Sequence, residues 1–210
     1  MRDARGYVTS STPDTCPGYI LTRFADKYGR PVALAYAGTR PDAPDTPETA
    51  EVVAPPPSDR GLVYVTVPEL RRSVNWQLLQ AGWVYPTFYS KLYFDLRRDL
   101  SSTAVAARAA RRGVWQDDTT LPGFTLLSRA QLRDELVILP KLFRRLAEYL
   151  ALDDTGGASL TGFSAFLAAH DDRLFTVPDG HATSLGTLVA VTGQRVQLTV
   201  RPEQIVFEEG

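Results

Sequence analysis

The stretch Asp26-Lys27-Tyr28-Gly29-Arg30 lies between two apolar runs, Tyr19-Ile20-Leu21-Thr22 and Val32-Ala33-Leu34-Ala35-Tyr36. Two such runs on either side of a short turn that contains glycine predict an antiparallel hairpin. Gly29 permits a backbone conformation that a residue with a Cβ resists, so we expect the chain to reverse here. We therefore predict strands over 19–23 and Pro31–Ala37, with the side chains of the turn at the rim of a sheet.

The side chains of this turn suit a phosphate ligand. The guanidinium of Arg30 can donate two parallel hydrogen bonds to a phosphate, and Lys27 adds a second positive charge. The alternative is a solvated hairpin without a ligand, which five residues alone leave open.

Two helical motifs follow the turn in the chain. Val74-Asn75-Trp76-Gln77-Leu78-Leu79-Gln80-Ala81-Gly82 belongs to a helix that we expect to begin at Pro68 and to end at Gly82. An alanine-rich helix then runs up to Arg112-Gly113-Val114-Trp115. Its apolar residues recur at three- and four-residue steps. On another face it carries Arg97, Arg108 and Arg112, for which we predict a solvated role.

This order of motifs resembles the C-terminal half of the staphylococcal-nuclease (thermonuclease-like) family, over roughly residues 18 to 117. In that family a D-K-Y-G-R turn leads into a strand, a V-N-x-x-L-x-x-x-G helix and a final helix that closes on a tryptophan. The resemblance implies calcium-assisted hydrolysis of phosphodiester bonds in nucleic acid.

The same resemblance implies roles for particular residues. Arg30 matches one of two arginines that contact the phosphate under attack, and Lys27 and Tyr28 match residues that flank the nucleotide's phosphate. Phe88 or Tyr89 matches a tyrosine beside the nucleotide, where stacking on a base would be worth about 1–3 kcal/mol. Simple core packing is the alternative for both aromatic residues.

The chain departs from the family on the acidic side of the site. The family's other arginine, its catalytic glutamate and its calcium-binding aspartates precede the turn, whereas only 25 residues precede Asp26 in this chain. Arg40, Asp45 and Glu48 repeat the spacing of the missing motif, but they follow the turn, in a proline-rich segment. We therefore identify no calcium ligands, and we expect weak or absent hydrolysis by this chain. The alternative function is a non-catalytic module that binds single-stranded nucleic acid or a protein.

The predicted fold class is α+β. Residues 1–118 are predicted to form a partial, OB-fold-like barrel with two helices, and residues 119–210 a smaller helical and antiparallel unit. An OB-fold barrel has about five strands, so a barrel without its first strands would leave unpaired edges. A natural protein that begins earlier would complete it, as would substitute strands from the N-terminal residues and from 62–67. A third possibility is that the C-terminal unit covers the open side of the barrel. A partner chain could also complete it.

Beyond residue 118 the patterns predict structure without a chemical motif. Ser128 and Gln131 form a capping signature for a helix, and Pro140 should split that helix from the next apolar stripe. The other predicted elements are a short helix around Phe166, strands over 174–177, 188–191 and 196–200, and a hairpin connection over 192–194.

Charge and composition limit the remaining possibilities. The chain has 23 basic and 24 acidic residues, so a polyanion site has to be a local patch. Cys16 is the only cysteine, which excludes an internal disulfide and a thiolate zinc cluster. The N-terminus has no signal-peptide core, and no apolar run has membrane-spanning length. These features predict a soluble, cytoplasmic protein.

Overall fold

A computed structural model of the chain describes residues 9–12, 14–25, 29–39, 64–170 and 172–208, with Arg23 in its backbone only. The fold class is α+β, as predicted. The chain forms two compact units, residues 1–77 and residues 78–210. Within the described ranges, no helix is long and apolar enough to cross a membrane.

The first unit contains the predicted hairpin. Strand β1, Gly18–Ala25, pairs antiparallel with β2, Pro31–Ala37. The register shifts between Thr22 and Phe24, which leaves Arg23 as the extra residue of a β-bulge. Such a bulge increases the local twist of a hairpin. The prediction of two strands on either side of the turn is therefore confirmed.

Two short helices follow in place of one predicted helix. Helix α1 is Val67–Leu70 and helix α2 is Val74–Gln80. The break between them is stabilised by Ser73, whose hydroxyl donates to the carbonyl of Leu70 at 2.6 Å and accepts from the backbone N–H of Trp76 at 3.2 Å. A serine that caps the next helix in this way ends the first one.

The predicted strand over 62–67 is wrong in its described part. Residues 64–66 have no regular structure, and Val67 begins α1. The reason is a capping box, in which the Glu69 carboxylate accepts from the N–H of Thr66 at 2.7 Å while the Thr66 hydroxyl accepts from the N–H of Glu69. Pro68 in the first turn favours the same helix start.

The second unit contains the remaining elements of the chain. In chain order they are β3 (Phe88–Tyr89), α3 (Phe94–Ala109), a 3-10 helix (Gly113–Gln116), β4 (Phe124–Thr125), α4 (Arg129–Asp134), α5 (Pro140–Leu150), α6 (Phe163–His170), β5 (Arg173–Thr176), β6 (Ala182–Ser184), α7 (Leu185–Leu188), β7 (Val189–Thr192), β8 (Arg195–Leu198), a second 3-10 helix (Pro202–Gln204) and β9 (Ile205–Phe207).

The strands of this unit form two open sheets, in the orders β3-β9-β5-β6 and β4-β8-β7, and no closed barrel forms among the described strands. Strand β3 pairs parallel with β9, so segments on both sides of the predicted boundary at residue 118 belong to one sheet. The antiparallel pair β7 and β8 is joined by Gly193 and Gln194, which confirms the predicted hairpin connection.

One core fills the second unit. Helix α5 begins at Pro140, as the predicted split requires, and its stripe of leucines is fully covered. Around that stripe lie side chains from both sheets and from α4, α6 and α7. The most completely buried apolar members are Leu126, Leu139, Leu142, Leu146, Phe163, Leu167, Leu174, Leu185, Val196, Leu198 and Ile205.

An ion-pair network joins α5 to the start of β5. The carboxylate of Asp172 accepts from the guanidinium of Arg145 at 2.5 and 2.7 Å and from the ammonium group of Lys141 at 2.8 Å. Burial raises the pKa of Asp172, but the hydrogen bonds from Arg145 and Lys141 outweigh it and leave the pKa below its ordinary value. The network therefore stabilises the contact between the two elements at neutral pH.

Candidate functional site

The hairpin turn presents Arg30 at the surface. Gly29 has φ +78°, in the left-handed region that favours glycine, and Arg30 follows it with an exposed side chain. Lys27 and Tyr28, the other predicted members of the turn, lie outside the described residues. The structure thus places the predicted arginine at an exposed position immediately before β2.

The two strands that carry this turn are tied together beside the bulge. The hydroxyl of Thr22 lies 3.0 Å from the carbonyl of Val32 in the partner strand and 3.1 Å from the carbonyl of Phe24. The contact with Val32 crosses from β1 to β2 next to the bulge. The Thr22 hydroxyl therefore supports the strand geometry close to the turn.

Asn75 of α2 holds the hairpin from β2. Its side-chain oxygen accepts from the N–H of Ala35 at 2.8 Å, and its side-chain nitrogen donates to the carbonyl of Ala33 at 3.3 Å. One amide thus pairs with a donor and an acceptor of the same strand. The sequence pattern around Asn75 predicts a helix, but nothing in that pattern identifies β2 as the partner of its side chain.

An aromatic pair stiffens the far end of the hairpin. The rings of Tyr19 and Tyr36 are stacked, with centroids 4.8 Å apart and planes 5° apart. Burial raises the pKa of Tyr36, and the nearby Tyr19 raises it further. Tyr36 therefore stays neutral at physiological pH and serves as a packing residue of the hairpin.

Phe88 and Tyr89, the predicted base-stacking residues, lie in β3 of the second unit. Phe88 is 3% exposed, and the ring of Tyr89 packs 6.3 Å from that of Phe207. Packing in the core accounts for both positions, as the alternative interpretation requires. Their assignment to a bound base remains a prediction, and it places them in a different unit from Arg30.

The acidic side of the site falls outside the described residues, because Arg40, Asp45 and Glu48 all lie between residues 39 and 64. In the part of the chain that is described, no group of three or more His, Cys, Asp or Glu side chains is arranged to hold a metal ion. The calcium ligands implied by the resemblance therefore remain unassigned.

The solvated role predicted for Arg108 is wrong. Its guanidinium forms an ion pair with the carboxylate of Glu203, which is only 2% exposed, and the hydroxyl of Ser101 donates to the carbonyl of the same glutamate. Arg112 donates instead to the carbonyl of Gln80 at 3.2 Å. Arg108 thus fastens α3 to the 3-10 helix before β9, and 95 residues separate the pair in sequence. No local pattern signals a contact of that separation.

The closing tryptophan of the resemblance is a buried residue. Trp115 packs edge-on against Tyr85, with ring centroids 4.9 Å apart. Just before it, the backbone of Gly113 approaches that of Gly82 so closely that a Cβ on Gly113 would collide with the Gly82 carbonyl oxygen. The two glycines of the quoted motifs therefore meet backbone to backbone.

The hydroxyl of Tyr85, whose ring packs against Trp115, forms a hydrogen bond to a carboxylate. It donates to the carboxylate of Asp118 at 2.6 Å, and the same carboxylate oxygen accepts from the N–H of Thr120 at 3.1 Å. Burial raises the pKa of Tyr85, and the bond to Asp118 raises it further, so the phenol stays protonated. The cluster therefore positions Trp115.

The fold and site define a class, an α+β protein that presents a cationic side chain next to a glycine of positive φ, immediately before the second strand of a hairpin. Comparisons of the chain with protein-family models, with curated proteins and with solved structures find no match.

Proposed function

We propose that this chain is a thermonuclease-like protein that binds nucleic acid through a phosphate held at the hairpin turn, and that it hydrolyses phosphodiester bonds weakly or not at all. In this proposal β1 and β2 are strands of a partial, OB-type barrel, and Lys27 and Tyr28 flank the phosphate beside Arg30. The order of elements supports it: a hairpin, a helix that contains Asn75, an aromatic strand, a long helix and a buried tryptophan.

The exposure of Arg30 at the end of the hairpin is the observation that carries the proposal. Asn75 holds one strand of the hairpin and Thr22 links the two, so the turn is presented from a braced support. Such support reduces the entropy lost when a ligand binds, because the ligand need not order the strands. A guanidinium keeps its charge at all physiological pH values and matches the geometry of a phosphate.

Hydrolysis would require more than this turn. A carboxylate has to activate water, while cations neutralise the charge that develops on the phosphate. Arg30 supplies only the second contribution. Asp45 and Glu48 remain the sequence candidates for the first, and a carboxylate displaced by about 1 Å can cost a hundredfold in rate.

Binding of a fluorescently labelled single-stranded oligonucleotide, followed by anisotropy over a range of salt concentrations, tests the proposal. Arg30→Ala should weaken binding about tenfold, since a hydrogen bond to a charged group contributes about 1.5–3 kcal/mol. The plot of log affinity against log salt should become shallower by about 0.7 for the lost phosphate contact. Arg30→Lys keeps the positive charge and loses the two parallel N–H donors of the guanidinium, so its affinity should lie between those of wild type and Arg30→Ala.

Arg201→Ala is the matched control, because Arg201 is also exposed and its removal changes the net charge equally. If Arg30→Ala and Arg201→Ala bind alike, the turn does not grip phosphate. A plasmid-nicking assay with added calcium tests the catalytic half of the proposal. Rapid nicking that Arg30→Ala abolishes would show an active nuclease and overturn the expectation of weak hydrolysis.

A further inference from the structure

An aromatic residue stands exposed at the start of α3, with arginines one turn further along. Phe94 is 65% exposed, and the guanidinium groups of Arg97 and Arg98 lie 5.7 and 5.8 Å from the centroid of its ring. Arg97 also lies 5.9 Å from the ring of Phe175 in β5. We call these four residues the aromatic–arginine cluster.

The helix period explains why these side chains meet. Residues 94, 97 and 98 fall on one face of α3, whereas Leu96 and Leu100 point into the core. Burial therefore does not account for an aromatic residue at position 94. The acidic residues of the same turns, Asp95 and Asp99, are displaced by about 100–140° around the helix from Phe94. The cluster thus combines two arginines with an aromatic ring, and Asp95, three residues before Arg98, borders this face.

The contacts within the cluster leave it open to a ligand. The guanidinium groups of Arg97 and Arg98 lie over the ring of Phe94 at distances near the outer limit of about 6 Å for a cation–π interaction, and the side chain of Phe94 is still 65% exposed. An exposed aromatic ring and two guanidinium groups therefore lie side by side on α3.

We propose that the aromatic–arginine cluster binds single-stranded nucleic acid, with one base stacked on Phe94 and the adjoining phosphates held by Arg97 and Arg98. Every base has a π-face, so an exposed ring accepts any of them, and flanking arginines provide the charge that a phosphodiester chain needs. Bases inside a duplex are stacked on one another and cannot reach the ring. The cluster belongs to the second unit and stands independently of Arg30.

The test uses the full chain and three probes of equal length: single-stranded oligo-dT, an abasic phosphodiester chain, and a duplex. Oligo-dT should bind most tightly, because only this probe offers unpaired bases together with phosphates. Phe94→Ala and Phe94→Leu should each weaken oligo-dT binding about tenfold, whereas Phe94→Trp should retain it. Phe94→Leu is the decisive variant, since it keeps an apolar side chain and removes only the aromatic face.

The arginines have their own matched comparison. Arg97→Ala and Arg98→Ala should weaken binding and reduce its salt dependence, whereas Arg144→Ala, at an exposed position of α5, should do neither. Equal affinity of wild type for oligo-dT and for the abasic chain would overturn the proposal. Wild-type affinity of Phe94→Leu would overturn it too, and an acidic protein ligand would then be the better candidate. Binding of phosphate at Arg30 is distinguished from binding at the cluster by the abasic chain, for which Arg30→Ala should lower the affinity.

Discussion

The two units of the chain differ in how much apolar surface their described residues bury. Among the described residues of the first unit, 9–12, 14–25, 29–39 and 64–77, the buried apolar side chains are Tyr36 and Leu70. In residues 78–210 a continuous core is built from two sheets and several helices. Because burial of apolar surface is the main favourable contribution to folding, the second unit carries most of the stability of the described chain. The first unit instead presents an exposed arginine on a hairpin held by a few polar contacts, which is typical of binding elements.

The largest effect should come from the core of the second unit. Phe163→Ala removes a fully buried ring from α6 and should lower the free energy of unfolding by about 3–5 kcal/mol, measured by urea denaturation. Ile20→Ala removes a side chain of β1 that is 52% exposed, and should change the free energy by no more than about 0.5 kcal/mol. If Phe163→Ala and Ile20→Ala lower the free energy of unfolding equally, the inference that the second unit carries most of the stability is wrong.

An intermediate effect is expected from Asp172→Asn. This change removes the charge that pairs with Arg145 and Lys141, and should lower the free energy of unfolding by about 2 kcal/mol at pH 7. That is less than the 3–5 kcal/mol of a fully buried pair, because the partners keep some contact with water.

The pH dependence of that difference follows from the sign of the pKa shift. Because the folded-state pKa of Asp172 is lowered, its stabilisation is complete above the unfolded pKa of about 3.9 and is lost as the pH falls through the folded value. The difference in stability between wild type and Asp172→Asn should therefore begin to shrink below about pH 4 and should vanish only below the folded-state pKa. A gap that stays constant from pH 7 to pH 3 would show that the ionised carboxylate contributes nothing.

The smallest effect should come from Asn75→Ala in the first unit. Loss of two hydrogen bonds to β2 should cost about 1 kcal/mol and should speed amide hydrogen exchange at Ala35, whose N–H is left without its partner. Gln77→Ala in the same helix is the control, because its side chain donates to the carbonyl of Arg72 and not to β2 within the described residues. Faster exchange throughout the second unit would mean that the two units do not respond separately.

Local patterns predicted much of this architecture, because the forces behind them are local. The hairpin β1–β2 follows from two apolar runs around a glycine turn, and α5 follows from Pro140 and a stripe of leucines. The strand predicted over 62–67 fails at Val67, because the apolar pattern of these residues also suits the first turn of a helix and the Thr66–Glu69 capping box stabilises that turn. Capping bonds decided the structure at that position.

The contacts that sequence reasoning missed join residues far apart in the chain. The parallel pairing of β3 with β9 and the ion pair of Arg108 with Glu203 leave no periodic or compositional signal. At the candidate site, Arg30 was predicted as an exposed turn residue, whereas the support that it receives from Asn75 was not. The aromatic–arginine cluster was missed for a related reason, since Arg97 was considered as a charge on a helix face and not together with Phe94.

The contact between Gly82 and Gly113 limits which amino-acid substitutions this protein can tolerate. Each position has a positive φ, and a methyl group at either one would collide with main-chain atoms of the other segment. Substitution at one glycine cannot be compensated by a smaller partner at the other, because no smaller residue exists. The loop after α2 and the loop before Trp115 therefore depend on each other. We expect substitutions to be tolerated at neighbouring positions and not at Gly82 or Gly113.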